Sequence, residues 1–153
     1  MKDHVKKPQE SLGRLIACLY HQARSYFEKE LAPYDLGSGA MPVLKALLYH
    51  DGINQQELSE KLHVDKATTT RAIAKLIENG YVRREKDIED HRAYRLFVTQ
   101  KAQDIAPEIQ RVLQSWTAIL AEGLTEKEKE AALALLQHMR NNALRHKVGE
   151  EGE

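Results

Sequence analysis

Apolar residues recur along this chain at three- and four-residue intervals, and the recurrence divides it into amphipathic helices. From about Pro8, which fits a first helical turn, Leu12, Leu15, Ile16, Leu19, Ala23, Tyr26 and Phe27 hold that spacing to Leu31, and Ala32-Pro33 ends it. Residues 1–7 are charged and expected to fray. Residues 34–39 connect to a second helix, with Ser38 a candidate cap and Pro42 in its first turn; Met41, Val43, Leu44, Leu47 and Leu48 mark its face and Asp51-Gly52 its stop. Asn54 followed by Glu57 is a capping box for a short third helix carrying Leu58 and Leu62. Asp65 is the N-cap of a fourth, and Gly80 supplies the left-handed residue that ends it.

The period then drops from 3.6 to 2. Residues 81–86 and 93–99 are β-leaning runs, the second alternating Tyr94, Leu96 and Val98 with Arg95 and Phe97, and residues 87–92 form a polar loop between them. Thr99 can cap a fifth helix marked by Ile105, Ile109, Val112, Leu113, Trp116, Ile119 and Leu120, which Pro107 is expected to kink or delay. Thr125 with Glu128 is a second capping box. The last helix is expected to bury Leu133, Leu136, Met139 and Leu144 before a Gly/Glu tail. Helix, tight turn, helix, strand, charged tip and returning strand make a winged helix-turn-helix. The fold class is mainly α with a small β-wing, flanked by N- and C-terminal helices.

The fourth helix has two unlike faces. Ile73, Leu76 and Ile77 fall on one side with Thr69 beside them; Ala67, Thr68, Arg71 and Lys75 fall on the other, with no acidic residue before Glu78. A face that is short, hydroxylated and basic suits a DNA major groove: small residues permit close approach, and Arg bonds guanine through two N–H groups. Thr68 and Arg71 are the candidates for base edges, Ala67 for close approach, and Lys66 and Lys75 for phosphates. Thr69 and Thr70 are read as packing or backbone bonding. An ordinary solvated helix would carry a mixed face too, so the neighbouring elements decide the reading.

Charge changes the picture only locally. Lys plus Arg and Asp plus Glu number 23 each, yet residues 61–101 hold ten Lys/Arg against six Asp/Glu, which gives a basic lobe and an acidic remainder. One cysteine excludes an internal disulfide framework. With no signal-like N-terminus and no apolar run of membrane length, no membrane partner is expected and the protein is expected to be cytoplasmic. The 153 residues are expected to form one domain whose spare apolar faces, at about residues 8–33 and 100–148, dimerise, leaving about 36–99 as the DNA-binding lobe. A two-fold dimer spaces its recognition helices about one DNA turn, ~34 Å, apart and calls for a pseudo-palindromic site.

Residues 64–99, VDKATTTRAIAKLIENGYVRREKDIEDHRAYRLFVT, resemble the signature of the MarR family of transcriptional regulators. The family's D-K-S/T-x-x-x-R helix, L-x-x-x-G-Y/L-V/I-x-R step and D-x-x-D-x-R wing tip have counterparts in order, as Asp65-Lys66-Ala67 with Arg71 (Ala67 standing where the family has Ser or Thr), Leu76-Gly80-Tyr81-Val82-Arg84, and Asp87-Asp90-Arg92. Leu36-Gly37-Ser38-Gly39 before Pro42 is similar to the start of the second helix in one branch. Length and helix order match as well. Where the family usually has Gly three residues after Thr99, this chain has Ala102.

The resemblance implies a homodimer that binds double-stranded DNA, usually as a repressor, and a wing arginine, here Arg92, that enters the minor groove. Asp90 is read as holding the wing tip by pairing with Arg92 or a neighbour. His91 stands where the family often has a second Arg, so wing affinity is expected to be lower and somewhat pH-dependent. The resemblance also implies a small phenolic or lipophilic anion bound between the dimer helices and the winged lobe. Tyr20, His21, Arg24, Met41 and His50 lie on helices that would border such a cleft, though each also reads as a surface or dimer-contact residue.

Other readings remain. A thiol-responsive regulator would use Cys18, but peroxide-sensing relatives carry their cysteine earlier relative to the Leu-Tyr pair, so an inert thiol is favoured. A metal site is not expected: the histidines show no ligand spacing, and His21, His50 or His138 would have to meet by tertiary accident. An enzyme has nothing to rest on, since no G-x-x-x-x-G-K-S/T, G-x-S-x-G or H-E-x-x-H occurs, and no cofactor is implied. A winged-helix protein-interaction module is the remaining alternative, and it would not need Thr68, Arg71 or Arg92.

Overall fold

The computed structural model describes residues 10–147. The elements run α1 (Leu12–Leu31), a single 3-10 turn (Ala32–Tyr34), α2 (Met41–Tyr49), β1 (Ile53–Asn54), α3 (Gln55–Leu62), α4 (Lys66–Glu78), β2 (Val82–Lys86), β3 (Tyr94–Val98), α5 (Gln100–Ala121) and α6 (Glu126–Lys147). This is the expected mainly-α order with a small wing. The strands form one antiparallel sheet in the order β1-β3-β2, with Leu96 of β3 opposite both Ile53 and Arg84. The two-residue β1 escapes a periodicity reading because Asn54 also caps α3. Among the described residues no helix is long and apolar enough to cross a membrane.

Four expectations need correction. α1 begins at Leu12, because the Ser11 hydroxyl accepts from the Arg14 N–H at 3.2 Å and so sets the first turn; Pro8 lies outside the described residues. Ser38 does not cap α2. Its N–H and its hydroxyl both donate to Glu28 Oε1, at 2.9 and 2.7 Å, and these two bonds hold the Glu28 carboxyl below its usual range. Pro107 does not delay α5, which runs unbroken from Gln100: Thr99 accepts from Ala102 and Gln103, so the first turn forms ahead of the proline, and Ala102 is fully buried. Leu133 and Leu136 of α6 are 60% and 51% exposed. Periodicity identifies an apolar face but not the surface that covers it.

The chain divides into two compact units, Met1–Trp116 and Thr117–Glu153. In the first, Leu31, Leu36, Leu44, Leu47, Leu58, Leu76 and Leu96 are buried to 2% exposure or less, and Val112 of α5 joins them. Tyr26 and Phe27 of α1 pack against Trp116 with ring centroids 5.3 and 6.1 Å apart. Tyr81 sits at the centre, its hydroxyl donating to the Tyr34 carbonyl and the Lys101 ammonium 4.4 Å from its ring centroid; burial raises its pKa. In the second unit, Thr125 and Glu128 form the expected capping box at the start of α6, with bonds of 3.2 and 2.7 Å.

The Ser59 hydroxyl on α3 is buried without a hydrogen-bond partner among the described residues. An unsatisfied buried hydroxyl costs about 1–3 kcal/mol, and alanine favours the helix more than serine does. Ser59→Ala is therefore expected to raise stability by about 1 kcal/mol, read as a higher urea midpoint at unchanged slope. A lower midpoint would mean that the hydroxyl is satisfied.

Candidate nucleic-acid interface

The position of α4 is set by its two ends. At the start, His63 adopts a left-handed conformation (φ 52°), and the N–H groups of His63 and Val64 return to the carbonyls of Glu60 and Ser59, closing α3. Two residues later Asp65 caps α4: its carboxylate accepts from the Thr68 N–H at 2.9 Å and the Thr68 hydroxyl at 2.7 Å. Those bonds, with smaller help from Arg71, hold the Asp65 carboxyl below its usual range. At the far end Gly80 (φ 78°) closes the helix, as Tyr81 N–H reaches the Leu76 carbonyl and Gly80 N–H reaches that of Ile77. The Thr99 hydroxyl then donates to the Gly80 carbonyl at 2.7 Å, tying the base of the wing to this turn.

Thr69, Ala72, Ile73 and Leu76 are buried, and the Thr69 hydroxyl is satisfied by the Asp65 carbonyl at 3.1 Å. The opposite face leaves Lys66, Ala67, Thr70, Arg71, Ala74 and Lys75 exposed. Thr68 is half-buried at the edge of that face: its hydroxyl donates to Asp65 and accepts from Arg71 Nη2 at 3.3 Å, so it can accept from a base as it stands but must release Asp65 to donate to one. Lys75 lies 3.7 Å from Glu78. Thr70 is exposed rather than packed, and a step of 100° per residue puts it nearer than Thr68 to the line through Ala67, Arg71 and Ala74. Its hydroxyl donates to the Lys66 carbonyl at 2.7 Å and accepts from Gln55 Nε2 at 2.5 Å.

The wing is held by a carboxylate that the sequence does not single out for this task. Asp87, 8% exposed, accepts from the Glu89 N–H at 2.9 Å and from Arg95 Nε at 3.0 Å; Arg95 Nη1 also donates to the Gly52 carbonyl at 3.0 Å. The Glu89 bond foremost, with Arg95 assisting, keeps the Asp87 carboxyl below its usual range against the opposing effect of burial. Asp90 accepts from the backbone N–H of Arg92 at 3.0 Å rather than from its guanidinium, and its carbonyl accepts from Ala93. The backbone that carries Arg92 is thus fixed, and its exposed side chain has no carboxylate within 4 Å among the described residues. His91 is exposed beside it.

A hollow of about 670 Å³ opens between the start of α3, the first turn of α4 and the wing. Gln55, Lys66, Arg84 and Arg92 line it. Arg84 entered the sequence reading only as part of a motif.

The residues proposed for a small anion lie apart. Tyr20, His21 and Arg24 are exposed on α1, with the Tyr20 and His21 rings edge to face at 5.8 Å. His21 and Arg24 share a shallow hollow with Glu28, His50 lines a different one with Asp51 and Glu57, and Met41 is 4% exposed in the core. Cys18 is exposed. Among the described residues no group of three or more His, Cys, Asp or Glu could hold a metal ion.

Comparison with known proteins places this geometry. The model of the MarR family matches residues 39–94. An uncharacterized HTH-type transcriptional regulator, YybA, from Bacillus subtilis is 33% identical over 74% of this chain and 75% of its own length. The crystal structure of a MarR transcriptional regulator from Methanosarcina mazei Go1 is 38% identical, with a TM-score of 0.82 over 88% of this chain and 96% of that one. A mutant MarR from E. coli complexed with operator DNA is 26% identical, with a TM-score of 0.76 over 84% of this chain and 92% of that one.

Asp65 and Asp87 give this region a pH dependence of known sign. A carboxyl with a depressed folded pKa contributes stability that is present above its unfolded value, about 4, and lost as pH falls through the folded value. The melting temperature is expected to fall with acid below about pH 4, with a shallower fall in Asp87→Asn. An identical acid limb in the variant would show that the Asp87 bonds do not hold the wing.

Proposed function

This chain belongs to the MarR family of transcriptional regulators, and from that premise we propose that it binds double-stranded DNA sequence-specifically as a homodimer. The observation that carries the reading is the division of α4. One side is given over to the core, so the side bearing Ala67, Arg71 and Lys75 faces outward next to a wing whose backbone presents Arg92. Lys66 and Lys75 supply charge for phosphates. Ala67 lets the helix approach, and Arg71, with Thr68 beside it, reads base edges. Arg92 enters the minor groove, and Asp90 orients its backbone. The operator complex of the E. coli relative supports this reading by its similar fold.

Apolar surface supports the dimer. Leu12, Leu15, Ile16 and Leu19 on α1, Ile119 and Leu120 on α5, and Leu133 and Leu136 on α6 are each more than two-fifths exposed. At roughly 25 cal/mol per Å² of apolar area, covering such faces offsets the entropic cost of association. The helices at about residues 8–33 and 100–148 serve that role, and about 36–99 is the DNA-binding lobe. The regulator is cytoplasmic, acts as a repressor on a pseudo-palindromic site, and answers to a small phenolic or lipophilic anion; of its candidate contacts Tyr20, His21, Arg24, Met41 and His50, all but the buried Met41 are exposed. That ligand lowers DNA affinity only by as much as it prefers the non-binding arrangement.

Selection of bound duplexes from random DNA tests the reading, with a two-fold symmetric motif expected. Arg71→Ala should relax preference at one base pair per half-site by roughly 1–3 kcal/mol. Lys75→Ala should weaken all sequences alike and flatten the salt slope by about one. A protein-interaction module predicts no motif and silence at Thr68, Arg71 and Arg92. A motif without two-fold symmetry would remove the dimer geometry.

A further inference from the structure

If α4 occupies a major groove and Arg92 the adjacent minor groove, one sugar–phosphate strand must pass between them. The surface it passes over is the hollow between α3, α4 and the wing. Arg84 stands on that wall with its guanidinium 4.9 Å from the centroid of the Tyr94 ring. Its neighbours are neutralised, Arg83 by Glu85 and Arg95 by Asp87, whereas Arg84 has no carboxylate within 4 Å among the described residues. A guanidinium stacked on a ring and free of a counter-charge is pre-organised for a phosphate.

Gln55 faces the same hollow from the first position of α3. One of its amide protons goes to Thr70 Oγ1 at 2.5 Å, and the Thr70 proton goes to the Lys66 carbonyl at 2.7 Å. This chain of bonds fixes Gln55 against α4 and leaves its second amide N–H to donate. Its backbone N–H lies in the first turn of α3, where no intrahelical acceptor exists. Two acidic residues also line the hollow, and both are engaged: Glu60 accepts from Gln56 Nε2 at 3.3 Å, and Asp90 from the Arg92 N–H. Lys66, Arg84 and Arg92 outnumber them.

We propose that this hollow is a phosphate clamp, in which Arg84, Lys66 and Gln55 grip the non-bridging oxygens of the phosphodiester strand running between the two grooves. The inference rests on the DNA-binding reading above. The clamp is indifferent to base sequence. It sets how deeply α4 and the wing seat together, because the strand it holds separates their two grooves.

The test uses the full chain, the selected duplex and a scrambled one, titrated across a range of salt. Arg84→Gln should weaken both duplexes by one factor, on the order of tenfold, and reduce the salt slope by about one; Arg84→Lys should keep the slope. A single neutral methylphosphonate is then moved through the half-site. Wild type should lose affinity at one position to which Arg84→Gln is indifferent, and Gln55→Ala should blunt the same position. The clamp is overturned if every methylphosphonate costs wild type and Arg84→Gln the same, or if Arg84→Gln alters base preference. Should Arg84→Gln melt early, Gln55→Ala and Lys66→Ala carry the same scan. A wild type that binds no duplex removes the DNA reading and the clamp together; one that binds its motif while the Arg84 variants match it at every salt removes only the clamp.

Discussion

Burial of Thr69, Ala72, Ile73 and Leu76 along one side of α4 is the constraint on which the rest of the winged lobe depends. Leucine or isoleucine in such a stripe contributes roughly 1.5–3 kcal/mol on leaving water, so α4 cannot rotate without losing most of what holds it. The orientation of the opposite face follows. Arg71 is outward because Ile73 and Leu76 are inward, and the buried Thr69 is tolerated because its hydroxyl bonds the Asp65 carbonyl within the same turn. Function here is the remainder of a packing solution.

The wing is joined to that helix through backbone groups. Gly80 ends α4 in the left-handed region and passes the chain to Tyr81, which is buried and bonded to Tyr34. Thr99 returns to Gly80, and β3 is stitched to the turn after α2 by Gly52 N–H to the Leu96 carbonyl and by Val98 N–H to Asp51. Arg95 spans from that turn to Asp87 at the wing tip. The helix that would enter the major groove and the loop that would enter the minor groove are therefore parts of one bonded frame. Three hydrogen bonds thus join the turn after α2 to β3 of the wing.

Much of this frame is legible in the sequence because its chemistry is local. The capping boxes at Asn54–Glu57 and Thr125–Glu128, the Asp65 cap and the Gly80 stop act within three or four residues, which spacing records directly. The contacts that spacing misses join distant residues. Glu28 takes Ser38 away from capping α2, Arg95 links Asp87 to Gly52, and Gln55 leans on Thr70 fifteen residues away. Thr68 and Thr70 look alike in sequence; the Asp65 carboxylate occupies one and leaves the other exposed. Leu133 and Leu136 show the opposite limit, an apolar pattern that names no partner.

The central claim is that the face of α4 left over by packing, together with the wing, is where duplex DNA sits. Amide hydrogen exchange of the full chain with and without its selected duplex tests it most directly. The account predicts that DNA slows exchange around residues 65–75, at 55 and 84 and across 87–93, while α1 and α6 are unchanged. Slowing confined to α1 or α6, with residues 65–75 exchanging as in the free protein, would contradict it.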